Sequence, residues 1–121
     1  MPQTEVVLFA EDDGSCPLLE WLDELPTKAQ DKCVARIERL AAMGHDLRRP
    51  EADFLRDGIY ELRASLQGIQ YRMLYFFHET RVILSHGLIK RQREVPPREI
   101  DLAIAHRTWF EKDPHTHTYE G

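Results

Sequence analysis

The stretch from Ile59 to Leu88 constrains the fold more than any other part of the chain. It holds three strand-like segments, Ile59 to Ser65, Ile69 to His78 and Arg81 to Leu88, separated by links as short as Gln67-Gly68 and Glu79-Thr80. Links that short join antiparallel neighbours, because a parallel connection needs a crossover of about a dozen residues or more. A three-strand meander is therefore expected. Its middle strand carries Tyr71, Met73, Tyr75 and Phe77 at one parity and Leu74 and Phe76 at the other. A strand apolar on both faces belongs at the centre of a covered sheet.

The flanking segments suit such a sheet. Thr4 to Ala10 is β-branched and apolar and reads as a strand, followed by turn chemistry at Glu11-Asp12-Asp13-Gly14. Leu18, Trp21, Leu22 and Leu25 form the stripe of a short helix that Pro26 ends. Thr27 with Gln30 reads as a capping box opening a second helix. That helix buries Ala29, Cys33, Ile37, Leu40 and Ala41 and stops near Gly44. His45 to Asp53, with Arg48, Arg49 and Pro50, reads as a loop, and Lys90 to Glu94 as a charged connector. Pro96-Pro97 opens a last helix with Ile100, Ala103 and Ile104 inside and Trp109 and Phe110 near its end. The order predicts an α+β domain over residues 1–112. An N-terminal strand and a two-helix hairpin pack on an antiparallel sheet, with a C-terminal helix to follow. Residues 113–121 read as a polar tail, expected to fray.

Composition narrows the function. A chain of 121 residues buries about two-thirds of its unfolded surface as one domain and needs no staple. Cys16 and Cys33 make neither a disulfide framework nor a zinc pattern, and Cys33 is expected in the core. His115 and His117 lack a second ligand pair, and there is no phosphate-binding glycine loop, dinucleotide fingerprint or nucleophile elbow. No metal or cofactor is expected. No apolar run approaches the ~20 residues of a membrane helix, and Met1-Pro2-Gln3-Thr4-Glu5 does not open a signal peptide, so a cytoplasmic domain is expected. The net charge of −5 opposes a nucleic-acid partner, but it is uneven: −6 over residues 1–57, +3 over 58–108 and −2 over 109–121. The basic half can still carry an anion-binding face.

The candidates for that face lie on the meander. Glu61 and Arg63 share a parity, and a hairpin turning near Leu66-Gln67 brings Arg72 to the same side, predicted to be exposed. Two guanidinium groups there can grip a phosphate without a metal, and Lys90 and Arg91 follow directly on the last strand. The plainer reading is that Arg72 pairs across strands with Glu61 while Arg63 is a solvated charge. Strict alternation puts His86 on the Tyr71 face, away from Arg72, where a buried, hydrogen-bonded imidazole is expected.

Several blocks in order carry a resemblance. They are Gly58-Ile59-Tyr60-Glu61-Leu62-Arg63, Gln70-Tyr71-Arg72-Met73-Leu74-Tyr75-Phe76-Phe77, His86-Gly87-Leu88-Ile89-Lys90-Arg91, Val95-Pro96 and Glu99-Ile100 with Ala103. Between about Leu55 and Arg107 the chain resembles the RelE/HigB-like toxins, in the phage-derived HigB-like branch of the RelE/ParE superfamily. The resemblance implies a RelE-like fold and the toxin of a type II toxin–antitoxin system. It implies a ribosome-dependent mRNA endoribonuclease, metal-independent and neutralised by a helix-turn-helix antitoxin. It assigns catalysis to Arg72, Arg91 and Arg63, RNA binding to Lys90 and Arg93, and acid–base candidacy to His86 and Glu61. Pro97 and Glu61 depart from the family pattern, which has tyrosine and lysine there. The alternative is a non-catalytic member of the same fold, acting as partner of a DNA-binding antitoxin.

Overall fold

The computed structural model describes residues 3–121; Met1 and Pro2, part of the N-terminal pentapeptide and of the 1–112 range, lie outside them. The described residues form β1 (Val6–Leu8), α1 (Pro17–Asp23), α2 (Thr27–Met43), β2 (Ala52–Arg56), β3 (Ile59–Leu66), β4 (Ile69–His78), β5 (Arg81–Lys90) and α3 (Pro97–Lys112). The fold is α+β. One five-stranded sheet runs in the order β1-β5-β4-β3-β2. The meander β3-β4-β5 is antiparallel as expected, and β4 is the central strand.

Two strands differ from the sequence expectation. β1 is shorter than Thr4–Ala10 and pairs parallel with β5, so the sheet is mixed. The parallel pairing is allowed because both helices α1 and α2 and three strands intervene, ample length for a crossover. β2 occupies part of the stretch read as a loop and extends beyond it. It pairs with β3 through a two-residue Asp57-Gly58 turn in which both residues have positive φ, 54° and 81°. That is the mirror-image turn whose twist suits a hairpin, and Asp-Gly is among its preferred pairs.

The sheet is covered on both faces. Leu18, Leu22, Ala29, Cys33 and Leu40 from α1 and α2 pack on Leu62, Met73, Tyr75 and Leu84. Ile100, Ala103 and Phe110 from α3 pack on the opposite face, against Ile59, Leu74, Phe76 and Ile83. Cys33 is in the core, as expected of an unpaired thiol. Gly87 sits where a Cβ would overlap the Trp21 ring, so the absence of a side chain is what lets α1 lie against β5.

Helix entry and the tail also differ from expectation. Pro26, not Thr27, is the N-cap of α2, and no capping box forms. The Gln30 amide instead donates to the Leu25 carbonyl at 3.0 Å, tying the α1–α2 turn. Residues 113–121 do not fray. Tyr119 N–H donates to Leu8 O, Ala10 N–H donates to His117 O, and Phe9 and Thr118 form an antiparallel bridge. The tail thus covers the free side of β1. No helix among the described residues is long and apolar enough to cross a membrane.

Candidate functional site

The β3–β4 register sets Arg63 directly opposite Arg72, so both lie on the α3 face of the sheet with Glu61, as the parity predicts. The expectation that both are exposed fails for Arg72, which is only 4 % exposed. Its Nε donates to Glu61 Oε1 at 3.1 Å and its Nη1 to the Tyr71 carbonyl at 3.0 Å. Arg63, partly exposed, donates through Nε to the other Glu61 oxygen at 2.9 Å. Glu61 is therefore a buried carboxylate shared by two arginines, one oxygen each. The reason is electrostatic: an arginine on the central strand, between β3 and β5, is drawn out of water, and a carboxylate on the next strand satisfies it. Burial pulls the Arg72 guanidinium below its ordinary pKa, while Glu61 opposes the shift.

Beside this triad lies an open cleft of ≈ 400 Å³, walled by β2, β3, the end of β5, the 91–96 connector and the start of α3. Arg56, Arg63, Lys90 and Arg93 contribute cations to its lining, and Glu61 and Glu94 contribute carboxylates. Lys90 is the last residue of β5 rather than part of the connector, and its Nζ donates to the Arg93 carbonyl at 3.1 Å, closing the corner. Arg91, at the start of the same connector, is exposed and does not line the cleft. Arg56 is held by Asp57 and Asp101, each at 2.8 Å. Arg72 does not line this cleft; it lines an adjoining depression of ≈ 240 Å³ that it shares with Arg63. The structure therefore brings Arg63, Lys90 and Arg93 to one cleft and leaves Arg72 behind them. Arg56 and Arg63 are held by carboxylates, whereas Lys90 and Arg93 have no carboxylate partner among the described residues, so these two are the charges the cleft offers an anion.

His86 is not on the Tyr71 face. A bulge sets Leu74 opposite His86 and Tyr75 opposite Leu84, leaving Ser85 as the extra residue. An extra residue reverses the alternation beyond it. Ser85 and His86 thus both point to α3. Ser85 Oγ lies 2.8 Å from His86 Nδ1 and 2.7 Å from Nδ1 of His106, which stands on the inner side of α3. His86 Nε2 lies 2.9 Å from Glu99 Oε1. A carboxylate at Glu99 only accepts, so His86 carries its proton on Nε2 and leaves Nδ1 bare. Ser85 gives its one proton to that nitrogen, and its oxygen accepts from His106 Nδ1–H. Burial lowers the pKa of His86, and it lowers that of His106 to about 4 with help from His86 and His117. Both are neutral near pH 7. The buried imidazole expected at His86 is found, but it joins α3 to β5 and stands on the Arg72 side.

Three features went unread in the sequence. Arg56 joins the cleft because β2 is a strand, and the Asp57-Gly58 pair was the signal for it. His106 falls on the inner side of α3, in step with Ala103 and Phe110. On the other side of β2, Arg48, Arg49, Phe54 and Tyr60 line a second depression of ≈ 330 Å³.

Comparison with known proteins gives no match among curated sequences. A family model described as phage derived protein Gp49-like matches residues 20–108. That span runs from α1 into α3 and takes in the triad and the whole of the cationic cleft. Covering well over half of the sequence, the match places the chain in the phage-derived Gp49-like family.

Proposed function

We propose that this protein is the toxin of a type II toxin–antitoxin pair, of the RelE/HigB-like kind, and that its cleft cuts mRNA on translating ribosomes in the cytoplasm. The observation that carries this reading is the cationic wall of the ≈ 400 Å³ cleft on a chain of net charge −5. A phosphodiester is the anion that best suits several converging cations spread over such a groove. Family membership and the α+β scaffold support the same reading.

In the proposed reaction the RNA 2′-hydroxyl attacks the adjacent phosphorus, and the P–O5′ bond breaks. The products are a 2′,3′-cyclic phosphate and a 5′-hydroxyl, whose oxygen takes up a proton. The nucleophile belongs to the RNA and the charge is met by side chains, so no metal or cofactor is required. Arg63, Lys90 and Arg93 receive the phosphate, and Arg91 adds charge from the start of the connector. Cations preorganised around the phosphorane supply the main stabilisation. Arg72 joins only after a phosphate competes it away from Glu61. The same exchange releases the carboxylate oxygens of Glu61, which lines the cleft, to accept the 2′-hydroxyl proton. His86, with both ring nitrogens engaged and α3 over it, is assigned to structure.

A second reading, a non-catalytic partner of a helix-turn-helix antitoxin, is favoured by the burial of Arg72 in its ion pair. Expression without the adjacent reading frame separates the two. The nuclease reading expects growth arrest with mRNA cut in translating ribosomes, and relief by Arg91→Ala or by Lys90→Ala with Arg93→Ala in a protein that still folds. A harmless wild type, or variants as toxic as wild type, rejects the nuclease and leaves the binding partner.

A further inference from the structure

Phe54 is the most exposed large apolar side chain among the described residues, at 52 %. It stands on β2, the edge strand, and lines both the cationic cleft and the second depression on the other side of that strand. Its ring is not loose. Tyr60, directly opposite on β3, meets it edge-on with centroids 5.2 Å apart, and Tyr60 is itself stacked on Tyr75 at 5.3 Å. A row of aromatic rings thus braces the exposed ring from one side and leaves its other surface open.

The surroundings are cationic. Arg48 and Arg49 line the depression beside Phe54 and Tyr60. Arg49 holds Asp53 at 2.7 Å, and Arg63 reaches the same carboxylate at 3.9 Å, so the acid between the two clefts is neutralised from both sides. Arg48 donates only to the His45 carbonyl and has no carboxylate partner among the described residues. A braced aromatic ring flanked by arginines at the β2 edge, where it borders the cationic cleft on the other face, matches what an unpaired nucleotide needs: a stacking surface for the base and cations for its backbone.

The edge is poorly suited to the other obvious occupant, an added strand from a partner protein. The Phe54 N–H is already taken by Asp53 Oδ1 at 3.0 Å, and a bulge between Phe54 and Arg56 interrupts the ladder. Both features blunt an edge as a pairing template.

We propose that Phe54, braced by Tyr60, is a stacking platform for an unpaired base of single-stranded RNA, next to the phosphate held in the cationic cleft, with Arg48 and Arg49 following the backbone. The proposal rests on the RNA reading above and adds the residue that holds a base. Stacking of this kind is sequence-tolerant, since every base presents a π-face, so Phe54 sets affinity and reading position more than base identity.

The test is binding of a labelled, single-stranded RNA oligonucleotide followed by fluorescence anisotropy over a range of salt. Phe54→Ala and Phe54→Leu are each expected to weaken binding, by roughly five- to 150-fold for the alanine. Both leave the salt dependence unchanged, because a neutral ring neutralises no phosphate. Phe54→Trp is expected to restore binding, with quenching of the new indole when RNA is added. Lys90→Ala with Arg93→Ala is expected to weaken binding and also flatten the salt dependence. Thermal melts check that the variants fold, as an exposed edge position predicts. Wild-type affinity in Phe54→Ala, or in Phe54→Leu, which keeps apolar bulk without a π-face, overturns the platform while the RNA reading stands. Absence of RNA binding by the wild type also overturns the platform, while the nuclease reading stands or falls by the toxicity comparison.

Discussion

Replacing Glu61 by glutamine tests the buried triad at the point where three charges meet. In the wild type one carboxylate serves Arg72 at 3.1 Å and Arg63 at 2.9 Å, with the Glu61 and Arg72 side chains only 4 % and 5 % exposed. Breaking a buried pair by removing one partner costs about 3–5 kcal/mol, because the remaining charge is left uncompensated. Glu61→Gln strands Arg72 in this way, while Arg63 can turn to Asp53, now 3.9 Å away, and to solvent. The expected loss is therefore near the lower end, about 3 kcal/mol. Arg72→Met is milder, about 1–2 kcal/mol, because Glu61 keeps Arg63 and the methionine refills the space. The double variant should cost less than the two single losses combined, with a coupling of about 1–3 kcal/mol. Urea denaturation of the four proteins reads this directly, with the Glu61→Gln midpoint falling by about 1–3 M for ordinary slopes. Single costs that simply add, or a Glu61→Gln protein within about 0.5 kcal/mol of wild type, would show that the three charges do not act as a unit.

Other expectations are as direct. His86 and His106 have folded pKa values below the ordinary 6.5, so stability is full above that value and falls as acid protonates them first in the unfolded chain. For His106 the loss runs from about pH 6.5 down to about 4 and reaches roughly 3 kcal/mol, read by thermal melts across that range. Ser85→Ala removes the hydroxyl between two ring nitrogens and is expected to cost about 1–3 kcal/mol at neutral pH, measured in the same melts. Gly87→Ala forces the Trp21 ring and α1 off β5, an overpacking cost of about 1–3 kcal/mol, visible as a shift in Trp fluorescence and a lower urea midpoint. Co-expressed with the adjacent reading frame, the protein is expected to elute as one complex in size-exclusion chromatography, and two separate peaks at micromolar concentration count against the antitoxin pairing.

The meander and the shared face of Glu61, Arg63 and Arg72 were legible because two-residue turns fix register, and register fixes which side each side chain takes. His86 was misplaced by the same logic. Alternation counted from the turn assumes an unbroken ladder, and one extra residue at Ser85 reverses it with no glycine or proline to mark the spot. The β2 strand was hidden because an edge strand is half-exposed and Ala52-Asp53-Phe54-Leu55-Arg56 does not alternate cleanly. Its Asp57-Gly58 turn was the better guide. The burial of Arg72 goes with its central strand and its bonds to Glu61 and the Tyr71 carbonyl, and strand parity gives a side without giving a depth. The tail misled through its composition: its polarity disguises the backbone bonds to Leu8 and Ala10 and a buried His117 whose Nδ1 lies 2.7 Å from Ala10 O.

The edge of the sheet built from β1 and the 113–121 segment joins parts of the chain that are far apart in sequence. The His117–Ala10 contact spans 107 positions, and β1 cannot enter its parallel ladder until β5 has emerged. Loops that long close late, after the local hairpins of the meander have formed, so the final assembly has a high contact order and is slow. At a synthesis rate of about 5–20 residues per second, the delay between the two partners is on the order of 5–20 s. Until β1 docks, β5 has a bare edge and Phe9 is missing from the layer between the sheet and α3. A growing chain therefore completes this edge of the sheet only once Thr118 and Tyr119 have emerged. The last edge of the sheet to close is thus the one that joins the two most distant segments of the fold.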